Sequence, residues 1–121
     1  MTERLTAFAS TSVVVPRPPP PVPHIGLTLI DRVLGMVSTE FAVPVRFILG
    51  KGHFAEHVRA RHAAMTILRH CGLSYPAIGR MLRKDHTTVM HGVRAMANHR
   101  ERYRALDARL LRIESYFVGK S

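Results

Sequence analysis

The fold is decided by one stretch, Leu73-Ser74-Tyr75-Pro76-Ala77-Ile78-Gly79-Arg80-Met81-Leu82-Arg83-Lys84-Asp85-His86-Thr87-Thr88-Val89-Met90-His91. Ser74 has the side chain of a helix N-cap. Pro76 follows in the first turn, where a missing N–H costs nothing. Ile78, Met81 and Leu82 give the short helix an apolar side. Arg83 and Lys84 form the turn. Asp85 then caps a second helix, with Val89, Val93 and Met96 on its buried stripe. Two helices joined by three or four residues make a helix-turn-helix. In that unit the second helix enters the major groove of a duplex with its N-terminal end against base edges.

Further out, the same helical periodicity continues. Leu29, Ile30, Val33, Leu34, Val37 and Phe41 recur at three- and four-residue steps, with Thr28 as cap, Asp31 three residues later and Pro44 as the stop. One short turn is expected at 45–49, then a loop marked by Gly50 and Gly52. A long helix is predicted from about Ala55 to Cys71, with Val58, Ala63, Met65, Ile67 and Leu68 on its apolar side and Gly72 after its end. A last helix over 105–117 buries Leu106, Leu110, Ile113 and Phe117. No long stretch alternates with period two. The fold class is therefore all-α, a helix-turn-helix bundle. Trp is absent and aromatics are 7%, so the core is expected to be Leu, Val, Ile, Met and Ala.

At 121 residues the chain accommodates one domain and a tail. Residues 1–25 read as a disordered Pro-rich tail and 26–121 as the folded domain. Pro16, Pro18, Pro19, Pro20, Pro21 and Pro23 favour extended polyproline II, either a stiff spacer or a PxxP ligand for an aromatic groove. The N-terminus does not read as a signal peptide, and no apolar run approaches a membrane span. The lone Cys71 cannot form an internal disulfide, which suits a reducing compartment. It reads as a small apolar filler near a helix end.

The net charge is +10, and residues 51–104 carry eleven basic side chains against only Glu56, Asp85 and Glu101. A clustered surplus of this kind is the electrostatic footprint of a polyanion partner, nucleic acid first. The side chains at the second helix suit base reading. The methyls of Thr87 and Thr88 pack on a thymine methyl, His86 donates to a purine acceptor, and Asp85 accepts from a cytosine amine. Arg80, Arg83, Lys84 and Arg94 surround that end with phosphate-seeking charge. His91 and His99 read as phosphate contacts or plain surface. The blander reading is that Asp85 and Thr88 merely cap an ordinary helix. A competing pattern, His53-Phe54-Ala55-Glu56-His57, has the H-x-x-E-H form of an inverted zinc-protease motif. Gly50 and Gly52 put His53 at a loop, and no obvious acidic third ligand follows, Glu101 and Glu114 being the only glutamates downstream. No metal, cofactor or catalytic residue is expected.

The run Leu73–Gly79 followed by Lys84-Asp85-His86-Thr87-Thr88-Val89-Met90-His91 resembles the signature of the C-terminal DNA-binding domain (domain IV) of the bacterial replication initiator DnaA. That family carries Leu-Ser-x-x-x-Ile-Gly and then Arg-Asp-His-Thr-Thr-Val-x-His. Ala60–Met65 is similar to the family's Ala/Pro-Arg-Gln-x-Ala-Met helix start, and Val37–Val43 to the end of its first helix. The likeness covers roughly 27–117. It implies a Trp-repressor-like fold and recognition of a short asymmetric box found at replication origins and some promoters. It implies that Asp85, His86 and Thr87 read bases. Lys51, Arg59, Arg61, His62, Ser74, Tyr75, Pro76, Arg83, Lys84, Thr88, His91 and Arg94 are the backbone-contacting or supporting residues. A basic loop before the long helix places an arginine in the minor groove in this family. Here residues 50–59 hold fewer cations and include Glu56, which leaves Lys51 or Arg59 as substitutes. The turn before Asp85 lacks the family's Gly-Gly, His62 replaces its Gln, and no GxxxxGK[ST] loop is present.

The expectation is thus a stand-alone, non-enzymatic DnaA-like protein that binds duplex DNA at initiator boxes. It would sit in the cytoplasm on the nucleoid and compete with a full-length initiator. The alternatives are a transcription regulator built on the same module, or an adaptor using the Pro-rich tail with non-specific DNA affinity.

Overall fold

A computed structural model describes residues 28–118. The reading of residues 1–25 as a Pro-rich tail lies outside them. The described residues form six helices and no strand: α1 (Leu29–Phe41), α2 (Val45–Ile48), α3 (Ala55–His70), α4 (Tyr75–Leu82), α5 (His86–Arg102) and α6 (Arg104–Val118).

Local chemistry sets the boundaries. Thr28 and Asp31 form a capping box at the start of α1: the Asp31 N–H donates to Thr28 Oγ1 at 3.3 Å, and the Thr28 N–H donates back to Asp31 Oδ2 at 3.2 Å. The helix stops at Ala42, earlier than the Pro44 expected, because Ala42 takes a left-handed conformation (φ 56°) and its N–H turns back to Ser38 O. Pro44 instead caps α2. After α3, Gly72 at φ +100° reverses the chain, a conformation that favours glycine.

The core is aliphatic, as its composition requires. Val33, Leu34 and Val37 of α1, Met65, Ile67 and Leu68 of α3, Ile78 and Leu82 of α4, Val89 and Met96 of α5, and Leu106, Leu110 and Ile113 of α6 are all buried. Phe117 packs at its edge, only partly covered. Helix α3 lies at the centre, against α1, α2, α4, α5 and α6. It contributes Ala60, Ala63 and Ala64, small residues that let neighbours approach closely. Helix α5 answers with Gly92, where a Cβ would stand 2.5 Å from Met65 Sδ and 2.9 Å from His62 Cδ2. The α3–α5 contact therefore fixes how the helix-turn-helix sits on the rest of the bundle.

Helix α6 is clamped back on α5 by charge. Arg100 forks onto Glu114 through Nη1–Oε2 at 2.8 Å and Nη2–Oε1 at 3.1 Å, and its Nε donates to Asp107 Oδ1 at 2.7 Å. Glu114 is 7% exposed, so the fork is what makes its burial tolerable. Arg112 reaches Glu40 at 2.6 Å across α6 and α1, an exposed pair of small energetic value.

Candidate nucleic-acid interface

Ser74 caps α4 by accepting the Ala77 N–H at 3.2 Å, and Pro76 sits in its first turn. The turn is tight. Arg83 occupies the left-handed region at φ 59°, and the Lys84 N–H donates to Gly79 O at 2.8 Å. Holding a non-glycine residue there costs about 1–2 kcal/mol. This is where the sequence lacks the expected Gly-Gly. Gly79 is buried beneath the turn: a Cβ on it would meet the Lys84 carbonyl oxygen at 2.6 Å. Only a glycine lets α4 and α5 cross so closely.

Asp85 caps α5. Its Oδ2 accepts the Thr87 N–H at 3.1 Å and also the Thr87 hydroxyl. Those two donors, the hydroxyl first, hold the Asp85 carboxyl below the usual carboxylate range. The carboxylate also complements the helix N-terminus. Capping and base reading are thus compatible uses of one side chain, since a carboxylate has further lone pairs to offer. The Thr87 hydroxyl proton is committed to Asp85, which leaves its methyl and the hydroxyl lone pairs for other contacts. His86, Thr87, Thr88, His91 and Arg94 are all exposed. Thr87, His91 and Arg94 follow at helical spacing along one face of α5, about 10 Å from first to last. Arg80 and Arg83 stand exposed beside them.

Two of the residues expected as backbone-contacting or supporting, Arg61 and Lys84, are turned inward. Arg61 is 8% exposed. Its Nε donates to Ile48 O at 2.8 Å, Nη1 to Gly52 O at 3.1 Å and Nη2 to Phe47 O at 2.8 Å. The guanidinium is spent on carbonyls of α2 and of the loop after it, so Arg61 ties the two together and leaves no free fork for a phosphate. Lys84 likewise donates from Nζ to Gly50 O at 2.8 Å. Burial, with Arg61 and Lys51 nearby, pushes the Lys84 ammonium below its ordinary value. Lys51 and Arg59 are exposed. Tyr75 is half-buried under the Arg69 guanidinium, 4.6 Å from its ring centre.

Two residues of the H-x-x-E-H run, Phe54 and His57, make ring contacts, while His53 and Glu56 are exposed. His57 stacks on Phe47 at 4.6 Å and meets the edge of Phe54 at 5.4 Å, while Arg46 lies 4.7 Å over Phe47. Both oxygens of Glu114 belong to Arg100. Among the described residues no three histidine, cysteine or acidic side chains stand together as a metal site, and no helix is long and apolar enough to cross a membrane. Cys71 is half-buried against the core, where burial raises its thiol.

His62 is half-buried against Gly92. Burial, then the Arg61 cation and His99, push its imidazole below the ordinary value. The unfolded chain therefore binds this proton first, at about pH 6.5. Stability from this group is fully present above that pH and is lost as pH falls towards the depressed folded value. The urea midpoint should be lower at about pH 5.5 than at about pH 7.5. His62→Gln should shrink the difference; an unchanged difference would show that His62 is not its source.

An exposed, cap-braced helix, seated by a short helix and a tight turn and ringed with arginine, defines a helix-turn-helix DNA-binding domain. The chain belongs to the bacterial DnaA protein helix-turn-helix family, whose model matches residues 30–96, more than half of its length. It is 37% identical over 73 residues to the chromosomal replication initiator protein DnaA of Neisseria meningitidis, and equally to that of Neisseria gonorrhoeae. It is 43% identical over 65 residues to the DnaA of Thermomicrobium roseum. These matches cover 59% and 52% of this chain, and 14% of each relative. The chain thus matches a small part of those proteins.

Proposed function

We propose that this chain reads duplex DNA at sites of the DnaA-box type and acts in replication initiation by occupying them. The observation that carries the reading is the Asp85-His86-Thr87-Thr88 run at the exposed N-terminus of α5, seated by α4 and surrounded by cations. In this reading Asp85, His86 and Thr87 meet base edges, and Thr88, His91, Arg83 and Arg94 meet phosphates on either side. Ser74, Tyr75 and Pro76 bring the start of α4 to the backbone. Lys51 and Arg59 carry the loop's charge towards the adjacent groove. His62 supports α5 from behind. The relatives are named chromosomal replication initiators, which supports an origin as the place of action. These residues contain no phosphate-cradling GxxxxGK[ST] loop, so the reading assigns them binding and no nucleotide chemistry. Occupancy of a shared box makes the chain a competitor of a full-length initiator on the nucleoid.

Selection from a random duplex library tests the reading. A short asymmetric motif should be enriched within a few rounds, and a library that stays flat would contradict it. Arg94 gives a separate check. Arg94→Ala should weaken binding to every duplex alike and lower the salt slope of log K by about one. A slope equal to that of the unsubstituted protein would remove Arg94 from the phosphate interface.

A further inference from the structure

The loop between α2 and α3 is held from below by two cations well separated in sequence, Arg61 and Lys84. Arg61 takes the carbonyl of Gly52 in the loop and those of Phe47 and Ile48 at the end of α2. Lys84 takes that of Gly50 at 2.8 Å, across 34 residues. Lys84 is also the last residue of the helix-turn-helix turn, immediately before the cap of α5. It is half-buried, and its own N–H is fixed to Gly79 O. One residue is thereby bonded to the turn through its backbone and to the loop through its side chain.

Resting on the DNA-reading proposal above, we infer that Lys84 is a positioning residue for DNA binding: it locks the 49–54 loop to the start of the recognition helix, so that both meet the duplex as one rigid unit. Lys51 and His53, two of the side chains that the loop exposes beside Leu49 and Phe54, are the polar ones it offers outward. Without the lock each would search its own orientations on every encounter, and binding would bear that ordering cost. With it, the spacing between the loop and Asp85 is set in advance. Lys84 acts through the loop, and its effect on binding is larger than one screened charge would give. The arginine below holds the loop's shape, while the lysine holds its place.

Two measurements on the full chain test this. In the free protein, backbone order parameters of residues 49–54 are compared among the unsubstituted chain, Lys84→Met and Lys84→Arg. Methionine keeps the packing of the stem and removes the donor; arginine keeps a donor. Order parameters should fall from about 0.85 towards 0.6 or less in Lys84→Met and be restored in Lys84→Arg. The melting temperature should move by only a few degrees. Unchanged order parameters, or loss of the whole fold, would overturn a local lock. The second measurement is a double-mutant cycle with Lys51→Ala on the selected box. The loss caused by Lys51→Ala should be smaller by about threefold in the Lys84→Met background. Strict additivity would overturn the proposal. Failure of the DNA reading is separate: it would appear as equal affinity of the unsubstituted protein for selected and scrambled duplexes, while the order parameters still decide the lock.

Discussion

Gly79→Ala will destabilise the protein by about 1–3 kcal/mol, although alanine is the better helix former. At an open mid-helix site the same change gains about 0.5–1 kcal/mol by removing glycine's excess freedom. At Gly79 the new Cβ would stand 2.6 Å from the Lys84 carbonyl oxygen and 3.5 Å from the His86 nitrogen. These are backbone atoms of the turn, so no side chain can rotate aside. The turn must open, and with it the angle between α4 and α5. Gly35 in α1 is the matched control, because a Cβ added there would have nothing within 4 Å. Gly35→Ala should raise the urea midpoint while Gly79→Ala lowers it. If both changes moved it in the same direction, the close crossing would not be what holds Gly79. Box affinity should fall in Gly79→Ala even at temperatures where the variant is fully folded, since the end of α5 proposed to read bases would be displaced.

The second large effect is on discrimination. His86→Ala and Thr87→Ala should each weaken binding to the preferred box by about 1–3 kcal/mol, with little change on scrambled DNA. Both side chains are exposed at the first turn of α5, where they make no contribution to the core. Thr87 has a second duty, because its hydroxyl donates to Asp85. Thr87→Ala keeps the N–H that Asp85 accepts, so the cap survives and the measured loss belongs to the methyl and hydroxyl. Dissociation constants on both duplexes, taken at one salt concentration, decide the matter. Equal losses on box and scrambled DNA would mean that these side chains do not read sequence.

Much of this architecture is legible because it is local. Ser74 with Ala77, Asp85 with Thr87, and Thr28 with Asp31 each act within three residues, and the sequence displays both partners of each of these caps. The aliphatic stripes of α1, α5 and α6 follow the same short-range rule. The early end of α1 at Ala42 is hidden, because proline is a visible stop and a left-handed alanine is not. The inward turn of Arg61 and Lys84 is harder still to foresee. Each cation finds its carbonyls through contacts 9–34 residues distant, and a charged side chain in a basic segment reads as surface. For Arg61 a signal exists: with Met65 and Leu68 it falls at helical spacing on the buried stripe of α3. Gly79 and Gly92 carry no such signal. Their meaning lies in which atoms stand opposite, and that is fixed only when α3, α4 and α5 have packed.

Sequence reading by α5 is tested most directly by a salt titration of binding to two duplexes of equal length, one carrying the selected box and one its scrambled counterpart. Phosphate contacts are common to both, so both affinities should fall with salt. Base contacts belong to the box alone, so its advantage should persist at about a thousandfold or more across the titration. Affinities for the two duplexes that coincide at every salt concentration would contradict base reading and leave the protein a polycation without a preferred sequence.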